Sequence, residues 1–125
     1  MREGNREAMN FINFTNHPVA TWKEKQIRAA EKYGPIMEIP FPAVDAEADE
    51  KQISQMADDA VEKIIKMNPA AVLCQGEFTL AYAVISRLKS CNVKVVAACS
   101  KRMAEETDDG RKIVTFCFEK FREYV

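Results

Sequence analysis

Short apolar runs alternate with helical patterns along the chain from Asn10 onward. Apolar runs bounded by Gly, Pro or Asn predict strands, and stripes that recur at the 3.6-residue period predict helices. The predicted strands are Phe11–Phe14, Pro35–Phe41, Ala70–Cys74, Val93–Ala98 and Lys112–Phe118. The predicted helices are one that follows Thr21 and ends before Gly34, one over roughly Ala46–Asn68, and one over Phe78–Ser90.

Two of these helices carry further signals. Thr21 and Glu24 have the spacing of a capping box, and Gly34–Pro35 is a typical end to the first helix. The second helix carries one continuous apolar stripe, formed by Ile53, Met56, Ala57, Ala60, Val61, Ile64 and Ile65. Such stripes indicate helices that pack one face against a core.

Strands that alternate with helices need crossover connections, which favours a mainly parallel sheet. Ala70–Cys74 is apolar throughout, as expected of a strand covered on both faces. Lys112–Phe118 alternates instead, which suits an edge or antiparallel strand. We therefore predict a compact Rossmann-like α/β domain over residues 9–125, with three layers, about four to six strands and helices on both faces. Residues 1–8 are polar and aperiodic, which predicts a flexible tail.

Composition excludes several classes of function. The formal net charge of −1 argues against binding to duplex nucleic acid, which needs a basic face. No apolar run reaches the roughly 18–20 residues needed to cross a membrane, and no signal peptide is recognisable. The four scattered cysteines indicate reduced thiols, so we expect a cytoplasmic protein. No metal-ligand spacing occurs, and neither a G-x-G-x-x-G nor a Walker motif is present, so we expect no cofactor and no dinucleotide.

In an open α/β sheet, ligands lie beyond the carboxyl ends of the strands. Three loops that carry polar residues would meet there, at Thr15–Pro18, Gln75–Thr79 and Cys99–Arg102. A glycine turn that leads straight into a helix also presents free backbone N–H groups to an anion. This clustering predicts a binding site at that edge of the sheet.

Each candidate side chain could also have a purely structural role. Asn16 and His17 could contact a base, ribose or phosphate, or could simply form the turn. Gln75, Gly76 and Thr79 could hold a ligand or only open a helix. Glu77 could act as a general base or bind a ribose, or could only interact with the positive end of the helix dipole. The remaining candidates are Thr15, Phe78, Trp22, Ser100, Lys101 and Arg102. Phe78 and Trp22 could stack on a base, although Trp22 also suits the core. Ser100, Lys101 and Arg102 could contact phosphate or only solvent.

A strand running into Asn16–His17–Pro18, and a later strand running into Gln75–Gly76–Glu77–Phe78–Thr79, resemble the short CRISPR accessory proteins built on the CARF (CRISPR-associated Rossmann fold) domain. The resemblance covers about residues 9–125. It implies a homodimer that binds a cyclic oligoadenylate, with Asn16 and His17 in the first ligand loop and Gln75, Gly76 and Thr79 in the second. Glu77, and a single glycine in place of a Gly–Gly–Thr followed by a basic residue, depart from the pattern.

The resemblance further implies a role in antiviral defence. Some members cleave the ring as metal-independent ring nucleases, through attack of a ribose 2′-hydroxyl on the adjacent phosphate, and others only bind it. His17 and Lys101 are the predicted catalytic residues. Two alternatives stay open: a non-catalytic nucleotide- or anion-binding regulatory domain unrelated to CRISPR, and an interaction protein that pairs through the edge strand Lys112–Phe118.

Overall fold

The computed structural model describes residues 9–125, so the predicted tail at residues 1–8 lies outside the described part of the chain. Its strands are β1 (Asn10–Phe14), β2 (Ile36–Glu38), β3 (Pro69–Cys74), β4 (Val95–Glu106) and β5 (Lys112–Glu123). Its α-helices are α1 (Glu24–Glu31), α2 (Glu50–Lys66) and α3 (Phe78–Ser90), and a 3-10 turn spans Val19–Thr21.

The five strands form one sheet in the order β2-β1-β3-β4-β5. The first four strands are parallel, and β5 runs antiparallel to β4 at the edge. The predicted α/β class, the mainly parallel sheet and the edge position of the last strand are therefore confirmed. Among residues 9–125, no helix combines the length and the apolar character needed to cross a membrane.

Two apolar layers hold the helices on opposite faces of the sheet. One layer joins α2 and α3 to the sheet through fully buried Ile12, Ile64, Val72 and Leu88. The other joins α1 to the opposite face through Phe11, Trp22, Ala30, Leu73 and Val96. Because β1 and β3 are covered on both sides, their side chains are apolar on both faces, with the exception of Asn10 and Asn13 in β1.

Two predictions about the beginnings of helices are wrong. Lys23 is the N-cap of α1 and makes no side-chain cap, so the capping box predicted at Thr21 is wrong. The Thr21 hydroxyl instead donates to the Pro18 carbonyl at 2.6 Å, within the 3-10 turn. A capping box does open α2, where Asp49 and Gln52 exchange two hydrogen bonds of 2.8 Å. The helix begins at Glu50, four residues after its predicted start at Ala46.

The hairpin of β4 and β5 is the largest departure from the predicted fold. The loop predicted at Cys99–Arg102 is wrong, because β4 continues to Glu106. Only Val95 and Val96 of β4 pair with β3, whereas eleven residues from Val96 to Glu106 pair with β5. Polar residues are tolerated in the outer part of this strand because neither α layer covers it.

Candidate functional site

A cavity of about 400 Å³ lies at the carboxyl ends of β1 and β3, beside the middle of β4, on the α1 side of the sheet. Its size is within the range of about 300–1,000 Å³ that is usual for small-ligand sites. The polar residues that line it are Thr15, His17, Thr21, Gln26, Gln75 and Ser100, and the apolar ones are Trp22, Leu73, Ala98 and Phe116. We call this the strand-end cavity.

The loop after β1 owes its shape to a buried amide. The Asn13 Nδ2 group donates to the His17 carbonyl oxygen at 2.9 Å and to Glu38 Oε2 at 3.0 Å. The same Glu38 oxygen accepts from the Val19 N–H at 2.6 Å. These bonds connect β1, β2 and the 3-10 turn, so the loop returns across the strand ends instead of extending into solvent.

Thr15 and Trp22 complete the support of that loop. The Thr15 hydroxyl donates to Asn13 Oδ1 at 2.8 Å and accepts from the His17 N–H at 3.0 Å. The Trp22 indole N–H donates to the His17 carbonyl oxygen at 3.0 Å. Three side chains thus hold the main chain of His17. The residue itself is exposed, and it lies at the rim of the cavity. Thr15 contributes to the site mainly by positioning His17.

Gln75 connects the end of β3 to β4 beside the cavity. Its Oε1 atom accepts from the Ala98 N–H, just beyond the point where the β3–β4 ladder stops. The carboxamide nitrogen of the same side chain carries two further donors, which suit a ribose or phosphate oxygen. Gln75 therefore has both a structural bond and remaining capacity for a ligand.

The other residues of the predicted second loop lie elsewhere. Glu77 caps α3: its carboxylate accepts from the Leu80 N–H at 2.8 Å and from the Thr79 hydroxyl at 2.7 Å. These bonds, the one from Thr79 first, lower the pKa of the Glu77 carboxyl. Thr79 borders a separate cavity beside α2, and Phe78 is 89% exposed beside a groove along α3. None of the three lines the strand-end cavity.

Gly76 is explained by packing. A Cβ atom at this position would lie 2.5 Å from the Phe41 ring, which is buried against Phe14. Nothing larger than hydrogen fits there without a shift of that ring. Close approach of a ligand to Gly76 stays a prediction.

The predicted cations lie on the hairpin. The Lys101 ammonium is 3.9 Å from the Glu119 carboxylate, which also pairs with Lys25 at 3.5 Å. Arg102 is exposed and is paired across the strands with Phe116, a residue of the cavity wall. Directly opposed residues in an antiparallel pair share a face, so Arg102 is on the face of the hairpin that borders the cavity.

The structure therefore brings together Thr15, His17, Gln75 and Ser100, with Arg102 beside them. Asn16 is exposed next to His17, and its role as a ligand residue stays a prediction. Sequence reasoning missed Asn13, Gln26 and Phe116. A signal for Asn13 was present, because a buried amide inside an apolar strand must find hydrogen-bond partners.

Two chemical properties limit the reactions available here. Burial raises the pKa of the Cys74 thiol to about 12, so this cysteine at the end of β3 carries little of the reactive thiolate at neutral pH. Within residues 9–125, no three His, Cys, Asp or Glu side chains are grouped so that they could hold a metal ion.

The comparisons with known proteins identify one family. No curated protein and no solved structure matches the chain. The model of the uncharacterized protein MJ1673 family matches residues 9–122, which include all of the sheet except Glu123 and the whole strand-end cavity. The chain therefore belongs to the uncharacterized protein MJ1673 family.

Proposed function

We propose that the chain binds a cyclic oligoadenylate at the strand-end cavity, as a homodimer, and removes this messenger by metal-independent cleavage or by sequestration. The observation that carries the proposal is the meeting of His17 and Gln75, from the loops after β1 and β3, with Ser100 of β4 at one cavity that Trp22 and Phe116 also line. The resemblance of the two loop sequences to CARF proteins supplies the ligand class.

The cavity has the chemical elements that an adenosine unit requires. The aromatic side chains of Trp22 and Phe116 offer surfaces on which a base can stack, and every base has a face suited to such stacking. Amide and hydroxyl groups from Gln75 and Ser100 suit ribose and base edges. Arg102 supplies the forked donors that match a phosphate.

The size of the cavity supports a dimer. A space of about 400 Å³ accommodates roughly one nucleotide, not a whole ring. A ring with two-fold symmetry would be held by two such cavities, related by the axis of an isologous dimer. Two copies would also double the local cations, which a chain with a net charge of −1 needs for an anionic ligand.

Cleavage would follow from positioning. The ribose 2′-oxygen attacks the adjacent phosphorus, the bond from phosphorus to the 5′-oxygen breaks, and a 2′,3′-cyclic phosphate and a 5′-hydroxyl result. Holding the 2′-oxygen in line with that bond supplies much of the rate. His17 moves the proton between the two oxygens, and Arg102, on the face of the hairpin that borders the cavity, stabilises the charge that develops on the phosphate in place of the predicted Lys101, which follows Ser100 on the opposite face of the strand.

The test is incubation of the pure protein with labelled cyclic tetra-adenylate and cyclic hexa-adenylate, with chelator present. Binding with linear products supports an enzyme, and binding without products supports sequestration. Binding of AMP or ATP without binding of either ring supports the alternative, a nucleotide-binding regulatory domain unrelated to CRISPR. No binding of any of these ligands contradicts the proposal.

A further inference from the structure

The outer strand of the sheet, β5, presents an unprotected edge. It pairs only with β4 and lies at the end of the strand order. Residues 112–117 are all exposed, and Ile113, Val114 and Phe116 are exposed by 49%, 40% and 67%. We call Ile113–Phe118 the open edge.

The composition of the open edge is unusual for a strand that faces water. Its six residues are Ile, Val, Thr, Phe, Cys and Phe, without a charge, a proline or a glycine. Proteins normally protect a long edge strand with charged residues, proline, a bulge or a covering helix, because its free N–H and C=O groups can pair with another chain. A two-stranded ribbon is also marginally stable on its own in water.

We propose that the open edge pairs antiparallel with the open edge of a second copy of this chain, about an axis at Thr115. This inference rests on the proposed function where it concerns the ligand. The choice of a second copy as the partner rests on the open edge alone. In this register Thr115 lies opposite itself, Val114 opposite Phe116, and Ile113 opposite Cys117. Thr–Thr pairs and aromatic pairs with β-branched residues are among those that stabilise sheets.

Charge agrees with the same register. Lys112 lies opposite Phe118 just beyond these pairs, and Arg111, the residue before β5, lies opposite Glu119, so an opposite-charge pair flanks each end of the shared ladder. A shift of the axis by one residue, to Phe116, would instead place Lys112 opposite Lys120. The second copy is therefore favoured as the occupant because the charges at the two ends of the edge are complementary to each other.

Edge pairing would also place the two strand-end cavities together. The two-fold axis of an antiparallel edge pair is perpendicular to the sheet, so both copies present the same face on the same side. Phe116 lines the cavity of its own chain and would lie beside the axis. The two cavities would therefore flank one axis on one face of a ten-stranded sheet, as a ring with two-fold symmetry requires.

The first test measures the mass of the full chain in solution without nucleotide, over a range of concentrations. Thr115→Lys sets two like charges against each other at the axis, and we expect the dimer dissociation constant to rise by about tenfold or more. Met103→Lys is the matched control, because Met103 is the partner of Thr115 within the same hairpin but is not at the open edge. It should leave the dimer unchanged.

A second test does not depend on weakening the dimer. In a background with the exposed Cys91 and Cys117 replaced by Ser, Thr115→Cys places two thiols opposite each other across the axis. Mild oxidation should then give a covalent dimer, whereas Met103→Cys should give none.

The outcomes separate this inference from the proposed function. A wild-type chain that is monomeric at every concentration, or a dimer that Thr115→Lys leaves intact, overturns edge pairing whatever the ligand. A dimer that follows the expected pattern but binds no ring supports edge pairing and contradicts the proposed function.

Discussion

The buried side chain of Asn13 holds the main chain of His17. Its Nδ2 group donates to the His17 carbonyl oxygen at 2.9 Å, and the Trp22 indole donates to the same oxygen at 3.0 Å. Asn13 is 2% exposed, whereas His17 is exposed at the cavity rim. An exposed side chain is thus positioned from the core, which is how a loop residue can have a defined orientation.

The bond from Asn13 predicts a coupled loss of stability and of binding. Asn13→Ala leaves buried polar groups without a partner, and we expect the free energy of unfolding to fall by about 1–3 kcal/mol. Ring binding should weaken as well, because the His17 loop is released. Denaturant unfolding and a binding titration measure the two effects, with Asn16→Ala as the control for stability. A fully stable Asn13→Ala variant would contradict the role given to this amide.

Gly76 and Phe41 predict a non-additive pair of substitutions. Gly76→Ala forces the Phe41 ring to move, and overpacking of this kind costs about 1–3 kcal/mol. In a Phe41→Leu background the same substitution should cost clearly less, since the ring that it meets is absent. Unfolding of the two single variants and the double variant measures the coupling. Equal costs in both backgrounds would show that Gly76 is constrained by something other than Phe41.

The cap of α3 predicts a pH dependence. Hydrogen bonds from Thr79 and Leu80 lower the pKa of Glu77 below its ordinary value of 4.5. The carboxylate therefore adds stability above pH 4.5, and that stability is lost as the pH falls through the lower pKa of the folded state. Glu77→Gln should be less stable than the wild type at neutral pH and should approach it in acid. A difference that stays constant with pH would exclude the ionised cap.

Cysteine reactivity tests the burial of the β3 end. With a pKa of about 12 against an ordinary 9.0, the Cys74 thiol has roughly a thousandfold less thiolate at neutral pH. We expect iodoacetamide to modify exposed Cys91 in the native chain and to spare Cys74 until denaturant is added. Mass spectrometry of the digested protein gives the extent at each site. Rapid native labelling of Cys74 would contradict the packing described for β3.

The parts of the fold that sequence predicted are those governed by local signals. Both ends of α3 were predicted, because Gly76–Glu77 interrupts the apolar run before it and a polar turn follows Ser90. The true length of β4 was not, because Ser100–Glu106 reads as a polar loop and becomes a strand only by pairing with β5. Pairing with a neighbouring strand overrides local propensity.

The candidate site was predicted in part for a similar reason. Topology brings strand ends together, so His17 and Gln75 could be foreseen from their places after strands, whereas Ser100 lines the cavity from within β4. The direction of a side chain depends on contacts that spacing does not reveal. Glu77 and Thr79 bond to each other at the helix cap, and Phe116 reaches the cavity only because the hairpin extends beyond the sheet.

The central claim is that the strand-end cavity is the nucleotide site, and filling it is the most direct test. Ser100→Trp places a large side chain in the cavity wall, and Ser90→Trp places the same side chain at the far end of α3. The measurement is the dissociation constant of labelled cyclic tetra-adenylate and cyclic hexa-adenylate for these two variants and the wild type. We predict that Ser100→Trp abolishes binding of a ring that the wild type and Ser90→Trp bind equally well; unchanged affinity in Ser100→Trp would contradict the account.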